Sequence, residues 1–163
     1  MPMIMITQRM LESRDAGESL VLPFDMRSRS RFRARLTSGE EVGVVLERGH
    51  VLRGGDLLLA DDGRIVQVGA AQESVTTLRS EDARQLARAS YHLGNRHVAL
   101  QVGDGWLRYR HDHVLDDMAR GLGLHVTVEQ APFEPEPGAY HASSAAHAHD
   151  DGHPHAHDHE HEH

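Results

Sequence analysis

Within one short stretch the chain carries eight histidines, His147, His149, His153, His155, His157, His159, His161 and His163, separated by small or acidic residues. His141 stands a little ahead of them. Imidazole is a ligand for nickel, zinc, copper and iron, and the interleaved Asp150, Asp151, Asp158, Glu160 and Glu162 add harder oxygen donors. Purification tags are usually uninterrupted histidine runs, whereas this stretch is irregular and mixed with Asp, Glu, Ala, Gly and Pro. Affinity rises from nickel to copper and drops again at zinc, so imidazoles alone cannot select nickel. An ordinary imidazole titrates near ~6.5, so a tail of this kind should release metal as the pH falls through about 6.

Two further groups of histidines lie upstream. Tyr91-His92-Leu93-Gly94-Asn95-Arg96-His97 falls at the end of a helical pattern. A histidine there is a candidate ligand, or simply a partner for the negative end of the helix dipole. His111-Asp112-His113 is the other group. On a continuing strand Tyr109, His111 and His113 would share a face; on a helix the two histidines would diverge. A ligand role therefore requires a strand-to-helix junction. Asp112 is a candidate cap for the helix that follows, and both histidines read equally as polar residues beside it.

Composition narrows the remaining options. The 163 residues suit one ordinary domain or two small ones, and small domains gain from association. With no cysteine, there is no disulfide, thiolate site or thiol nucleophile. The formal charge is −8, from 17 basic and 25 acidic residues, which speaks against a general nucleic-acid binder. The arginines from Arg27 to Arg35 alternate with Phe32, Ala34 and Leu36 as on a solvated strand face. No apolar run is long enough to span a bilayer and no secretory leader is evident, so a cytoplasmic protein is expected. No nucleophile elbow, phosphate loop or HExxH helix is present, and no catalytic residue is expected.

The elements that must position these side chains fall into two halves. Strands are expected at Ile4–Ile6, around Leu20 and Leu22, from Arg31 to Leu36, Val42 to Leu46, Leu57 to Ala60, and Ile65 to Val68, a density typical of a small β-sandwich or barrel. Beyond residue 71 the pattern changes. A strand from Ser74 to Leu78 leads to a helix capped by Ser80, with Glu81 and Asp82 in its first turn, ending at Gly94-Asn95. Strands at Val98–Val102 and Trp106–Tyr109 follow, joined by Gly103-Asp104-Gly105, then a helix from about Val114 to Leu122 and a strand from Leu124 to Val128. Strand-helix-strand-strand-helix-strand is the ferredoxin-like plan. The class is α+β: a β-rich N-terminal domain (1–71), a ferredoxin-like metal-binding domain (72–140) and a disordered His-rich tail (141–163).

Three segments in this order carry a resemblance. Tyr91 to His97, then Leu107-Arg108-Tyr109 with His111 to Met118, then Pro132 to Tyr140 before a His-rich end, resemble the UreE family of urease accessory proteins. Leu22 to Asp25 and the strand from Arg31 to Leu36 are also similar to that family's N-terminal half. The resemblance spans essentially the whole chain. It implies a homodimer that carries Ni(II) to apo-urease alongside an accessory GTPase, with a partner-binding N-terminal domain. By the same resemblance His97 is the nickel ligand at the dimer interface. His111 and His113 are secondary metal ligands, and the tail from His141 onward is a further variable set. Zn(II) or Cu(II) would enter the same sites. Some relatives have a cysteine in the first helix of the metal domain, absent here, and Arg110 stands where some have another histidine. A general nickel and zinc buffer acting through the tail is the competing reading. A pure buffer, however, has no use for the two upstream histidine segments.

Overall fold

The computed structural model describes residues 3–138. Nine of the expected ligands lie outside the described residues: His141, His147, His149, His153, His155, His157, His159, His161 and His163. The disorder expected of that tail lies outside them as well. The described residues form two sheets. The first contains β1 (Ile4–Met10), β2 (Glu18–Leu22), β3 (Arg31–Arg35), β4 (Glu41–Val45), β5 (Leu57–Ala60) and β6 (Ile65–Ala70), in the order β2-β6-β5-β1-β4-β3. Hairpins account for β3–β4 and β5–β6, whereas β1–β4 and β2–β6 run parallel. The local turn signals reveal the hairpins but not the parallel pairs, which need longer connections.

This sheet curls. Just past β3, the N–H of Thr37 donates to the Ser19 carbonyl of β2, at 2.9 Å, so the two outermost strands meet. Ile6, Leu20, Val44, Leu58, Val66 and Val68 consequently share one core. Period two is obeyed on β3, where Arg31, Arg33 and Arg35 are exposed and Phe32 and Ala34 turn inward.

The second sheet contains β7 (Gln72–Arg79), β8 (Gln101–Gly103), β9 (Trp106–Arg110) and β10 (His125–Pro132), in the order β10-β7-β9-β8 with every neighbouring pair antiparallel. The helix α2 (Ala83–Asn95) joins β7 to β8, and α3 (His113–Gly121) joins β9 to β10. Leu86, Ala89 and Leu93 of α2 and Leu115, Met118 and Ala119 of α3 pack on Leu78, Leu107 and Tyr109. Their spacing of three and four residues is what a helix needs to bury one stripe on a sheet.

Several boundaries differ from expectation. The cap of α2 is Asp82, whose carboxylate accepts from the Arg84 N–H at 2.9 Å, and no acid lies in its first turn. Ser80 sits outside the helix and accepts from the Asp82 N–H. β8 starts at Gln101 instead of Val98, because Val98 is drawn into the end of α2. β10 continues past Val128 to Pro132, paired with β7 throughout. The polar Glu129 and Gln130 break the apolar alternation without breaking the ladder. Glu129 accepts from Thr77 at 2.9 Å, so a polar cross-strand contact takes the place of an apolar one.

A short helix, α1 (Phe24–Arg27), follows Pro23 and has no amphipathic pattern to announce it. It delivers Arg27 to the interior. Arg27 is 0% exposed, a correction to its grouping with the solvated arginines. Its Nε and Nη1 donate to the carbonyls of Leu22 (3.0 Å) and Leu52 (3.1 Å). The same guanidinium bonds the Glu134 carboxylate and the Phe133 carbonyl. Phe133 packs edge-on against Phe24, with ring centres 5.7 Å apart. Residues 133–138 thus run as a strap across both halves, its Glu136 N–H donating to the Leu100 carbonyl at 2.8 Å. No described helix is long and apolar enough to cross a membrane.

Candidate metal centre

His97 is placed by the way α2 ends. The His97 N–H donates to the Gly94 carbonyl at 3.0 Å, and the Val98 N–H reaches back to the Leu93 carbonyl at 3.3 Å. Those two bonds define a Schellman termination, with Arg96 as the C-cap and His97 in the left-handed position that follows it. Glycine normally occupies that position because it has no Cβ to clash. Among the described residues His97 is the one non-glycine with positive φ, at 58°. Asn95 is the last helical residue, so α2 ends at the Gly94-Asn95 pair as expected, but the left-handed position after the cap falls to His97 rather than to that glycine. Val98 joins Leu93 in the apolar core, which anchors the termination.

The exposed His97 lines a groove of about 480 Å³ together with Phe24, Val98, Leu100, Val102 and Gly138. Gly138 is the last described residue, so the chain leaves toward its His-rich end from the groove that His97 borders. The tail histidines expected as ligands, His141, His147, His149, His153, His155, His157, His159, His161 and His163, lie beyond the described residues.

His111 and His113 occupy the junction that a ligand role requires. β9 stops at Arg110 and α3 begins at His113. Asp112 caps α3 as expected, accepting from the N–H groups of Val114 (2.8 Å) and Leu115 (3.1 Å). The cap turns the chain so that the two imidazoles meet edge to face, their centres 4.9 Å apart. Tyr109 does not share their surface; it is 0% exposed, under α3.

Behind His111 lies a residue that sequence reasoning passed over. Asp116, in the first turn of α3, is 2% exposed. Its Oδ1 accepts from the hydroxyls of Tyr109 (2.6 Å, from β9) and Thr76 (2.7 Å, from β7). Its Oδ2 lies 3.0 Å from His111 Nδ1. Burial, reinforced by the hydrogen bond to Asp116, raises the Tyr109 phenol far above its ordinary range, so it remains an O–H donor. The available signal was Asp116 one residue beyond Leu115 on a helix with an apolar stripe. A charge beside a buried position is common on a helix edge, and only the strands beneath show that it points inward.

Among the described residues no three His, Asp or Glu side chains gather into a ready metal cage. The structure therefore brings together His111 with His113, and separately sets His97 in the groove at the strap.

Comparison with known proteins gives the family. Residues 9–71 match the family described as UreE urease accessory protein, N-terminal domain, and residues 73–163 match its C-terminal domain. The urease accessory protein UreE of Alkalilimnicola ehrlichii is 60% identical over 138 residues, covering 85% of each chain. Its counterpart in Pseudomonas putida strain W619 is 56% identical over 90% of each chain. That of Enterobacter sp. strain 638 is 54% identical, over 90% of this chain and 95% of its own. Both halves match, in order and over most of their length, and the chain belongs to the UreE family of urease accessory proteins.

Proposed function

We propose that this protein carries Ni(II) to apo-urease during assembly of the enzyme's metal site, acting in the cytoplasm as a homodimer with His97 at the two-fold axis. The observation that carries this reading is the left-handed backbone of His97. A non-glycine residue there is strained by ~1 kcal/mol or more, and such strain persists mainly where the side chain has a task. A two-fold axis sets one patch against itself, so a single histidine becomes two facing imidazoles. Two ligands leave coordination positions open, which suits an ion that must be passed on.

We read the tail as the source of the ligands that fill them. The chain advances at most ~3.6 Å per residue, so His141 lies within about 11 Å of Gly138 and His147 within about 32 Å. The later histidines, from His149 and His153 through His155, His157, His159 and His161 to His163, have a longer reach and add capacity. The juxtaposed His111 and His113 make a second, two-imidazole site. Zn(II) or Cu(II) can enter any of these positions, so preference for nickel rests on geometry and on the partners. No group in the protein is assigned a catalytic role.

The domain assignment follows the same reading. The boundary of a β-rich, partner-binding domain (1–71) is supported by the switch of sheets between Ala70 and Gln72; the accessory GTPase and the apo-urease complex are the partners of the whole protein in this reading. A ferredoxin-like metal-binding domain (72–140) is supported by the antiparallel order β10-β7-β9-β8 with a helix in each crossover. Residues 141–163 are then the tail.

Activation of apo-urease at limiting nickel tests the proposal. The wild-type chain should stimulate activation, a chain ending at Tyr140 should stimulate while binding fewer ions, and His97→Ala should not stimulate. Full stimulation by His97→Ala would remove His97 from the delivery path.

A further inference from the structure

The contact between Asp116 and His111 has a direction. A carboxylate is an acceptor only, and each hydroxyl has one hydrogen to give. Thr76 and Tyr109 both direct theirs to Asp116 Oδ1, at 2.7 and 2.6 Å. Asp116 Oδ2 then faces His111 Nδ1 at 3.0 Å. Were Nδ1 without its hydrogen, two lone pairs would meet at that distance. The Thr76 oxygen lies 3.3 Å from the same Nδ1, and with its hydrogen committed elsewhere it too can only accept. Every group on that side of the ring calls for an Nδ1–H.

We infer that Asp116 is a positioning residue for His111: it holds the neutral imidazole in its Nδ1–H form and leaves the lone pair on Nε2, the nitrogen that would take the metal. The inference rests on the proposed role of His111 as a ligand and deepens it. Burying a carboxylate has no evident benefit for folding alone, because apolar residues of like volume in place of buried charged partners are often as stable. A histidine ligand whose other N–H is given to a carboxylate is held in one tautomer and orientation and is a more basic donor. Here the carboxylate is in turn held by β7 and β9, so the ring is oriented by the sheet. His111 is 27% exposed on its side chain while Asp116 is 2% exposed, so the anchored side of the pair is the inner one.

The test uses the full-length, metal-free, 15N-labelled protein at a pH where imidazole is neutral. Two-bond proton–nitrogen correlations report the tautomer, and the His111 signals are assigned by their disappearance in His111→Gln. The wild type should show the Nδ1–H form, and Asp116→Ala should move the ring toward Nε2–H. Asp116→Asn should largely retain Nδ1–H, since its amide oxygen can still accept and its NH2 can donate to the two hydroxyls. An Nε2–H form in the wild type, or a tautomer unchanged in Asp116→Ala, overturns the inference. The wild-type spectrum and the isosteric Asn variant keep the test decisive even if the Ala variant fails to fold. In a Ni(II) titration followed by broadening of His113, Asp116→Ala should bind ~10–100-fold more weakly and Asp116→Asn should recover most of the affinity. His111→Gln in that titration is the separate check on the ligand role: unaltered binding there overturns the ligand half of the inference, whatever the tautomer.

Discussion

The N-terminal sheet surrounds a buried cation, Arg27, at 0% exposure; the C-terminal sheet surrounds a buried anion, Asp116, at 2%. Arg27 donates to three backbone carbonyls, of Leu22, Leu52 and Phe133, and to Glu134. All of these partners belong to the scaffold, and the result is a fastening between the first sheet and the strap. Burial pulls the guanidinium below its ordinary range, while the neighbouring Glu134 and Glu73 carboxylates push it back up. Asp116 has two scaffold partners and one that reaches the surface, His111. A charge whose partners only tie segments of the chain together fastens; a charge with one partner that is itself a candidate ligand can also orient that partner.

The largest expected effect comes from the fastening. Arg27→Met should lower the unfolding free energy by ~3–5 kcal/mol, because it removes the cation that pairs with Glu134 and the buried donor to the Leu52 and Phe133 carbonyls. Urea denaturation measures this, and a loss below ~1 kcal/mol would show that the cation is not the tie described here. Next is Asp116→Ala, which strands two hydroxyls and should cost ~2–3 kcal/mol, against ~1 kcal/mol for Tyr109→Phe. The two changes touch one network, so their double variant should fall short of the sum.

His97 should behave in the opposite way. His97→Gly relieves a left-handed residue and should leave stability unchanged or raise it by up to ~1 kcal/mol, while nickel binding at the proposed two-fold site is lost. A clear destabilisation would mean that the side chain holds the fold rather than the ion. Ending the chain at Tyr140 should change the unfolding free energy by less than ~0.5 kcal/mol and reduce the number of nickel ions bound, read by calorimetry at neutral pH.

The smallest effect belongs to an exposed cluster on the first sheet. The Arg64 side chain bonds Glu18, Glu40 and Asp62; its bond to Glu40 holds that carboxyl below the ordinary range, and the Arg64 backbone N–H, helped by the side chain, does the same for Asp62. A carboxyl lowered on folding adds stability above its unfolded pKa, and that stability is lost as the pH falls through the folded value. Arg64→Ala should return Glu40 toward its ordinary value in an NMR titration, move Asp62 less because the backbone N–H of residue 64 remains, and flatten the acid limb of the stability profile slightly.

Most of what is legible in the residues has a local cause, although the cap of α2 fell to Asp82 rather than Ser80. Asp112 was recognisable as a cap because a cap needs only its next three residues. Arg31, Arg33 and Arg35 were placed outward by period two alone. The order of elements in the second half followed from apolar spacing and from turns such as Gly103-Asp104-Gly105. That turn is tight enough that a Cβ on Gly103 would lie 2.0 Å from the Trp106 ring. Arg27 was misplaced because a run of arginines looks uniform, and only Pro23 and the single turn of α1 redirect its first member. Nothing in the sequence announces the strap, because Pro135 and Pro137 deny it regular structure, although Phe133 and Glu134 anchor it.

Residue types and spacing by themselves determined the ligand chemistry: imidazole and carboxylate without thiolate, concentrated at the C-terminal end, with His97, His111 and His113 as separate candidates. They also determined the order of the secondary structure, since hydrophobic periodicity and caps act over a few residues. Only the tertiary structure decided that His97 takes a glycine's place at the end of α2, that Arg27 is buried, and that Asp116 stands behind His111. Each of these depends on partners distant along the chain: Glu134 for Arg27 and Thr76 for Asp116. For His97 it depends on the packing of Val98 into the core with Leu93. Such contacts exist only once the two sheets have closed over their cores.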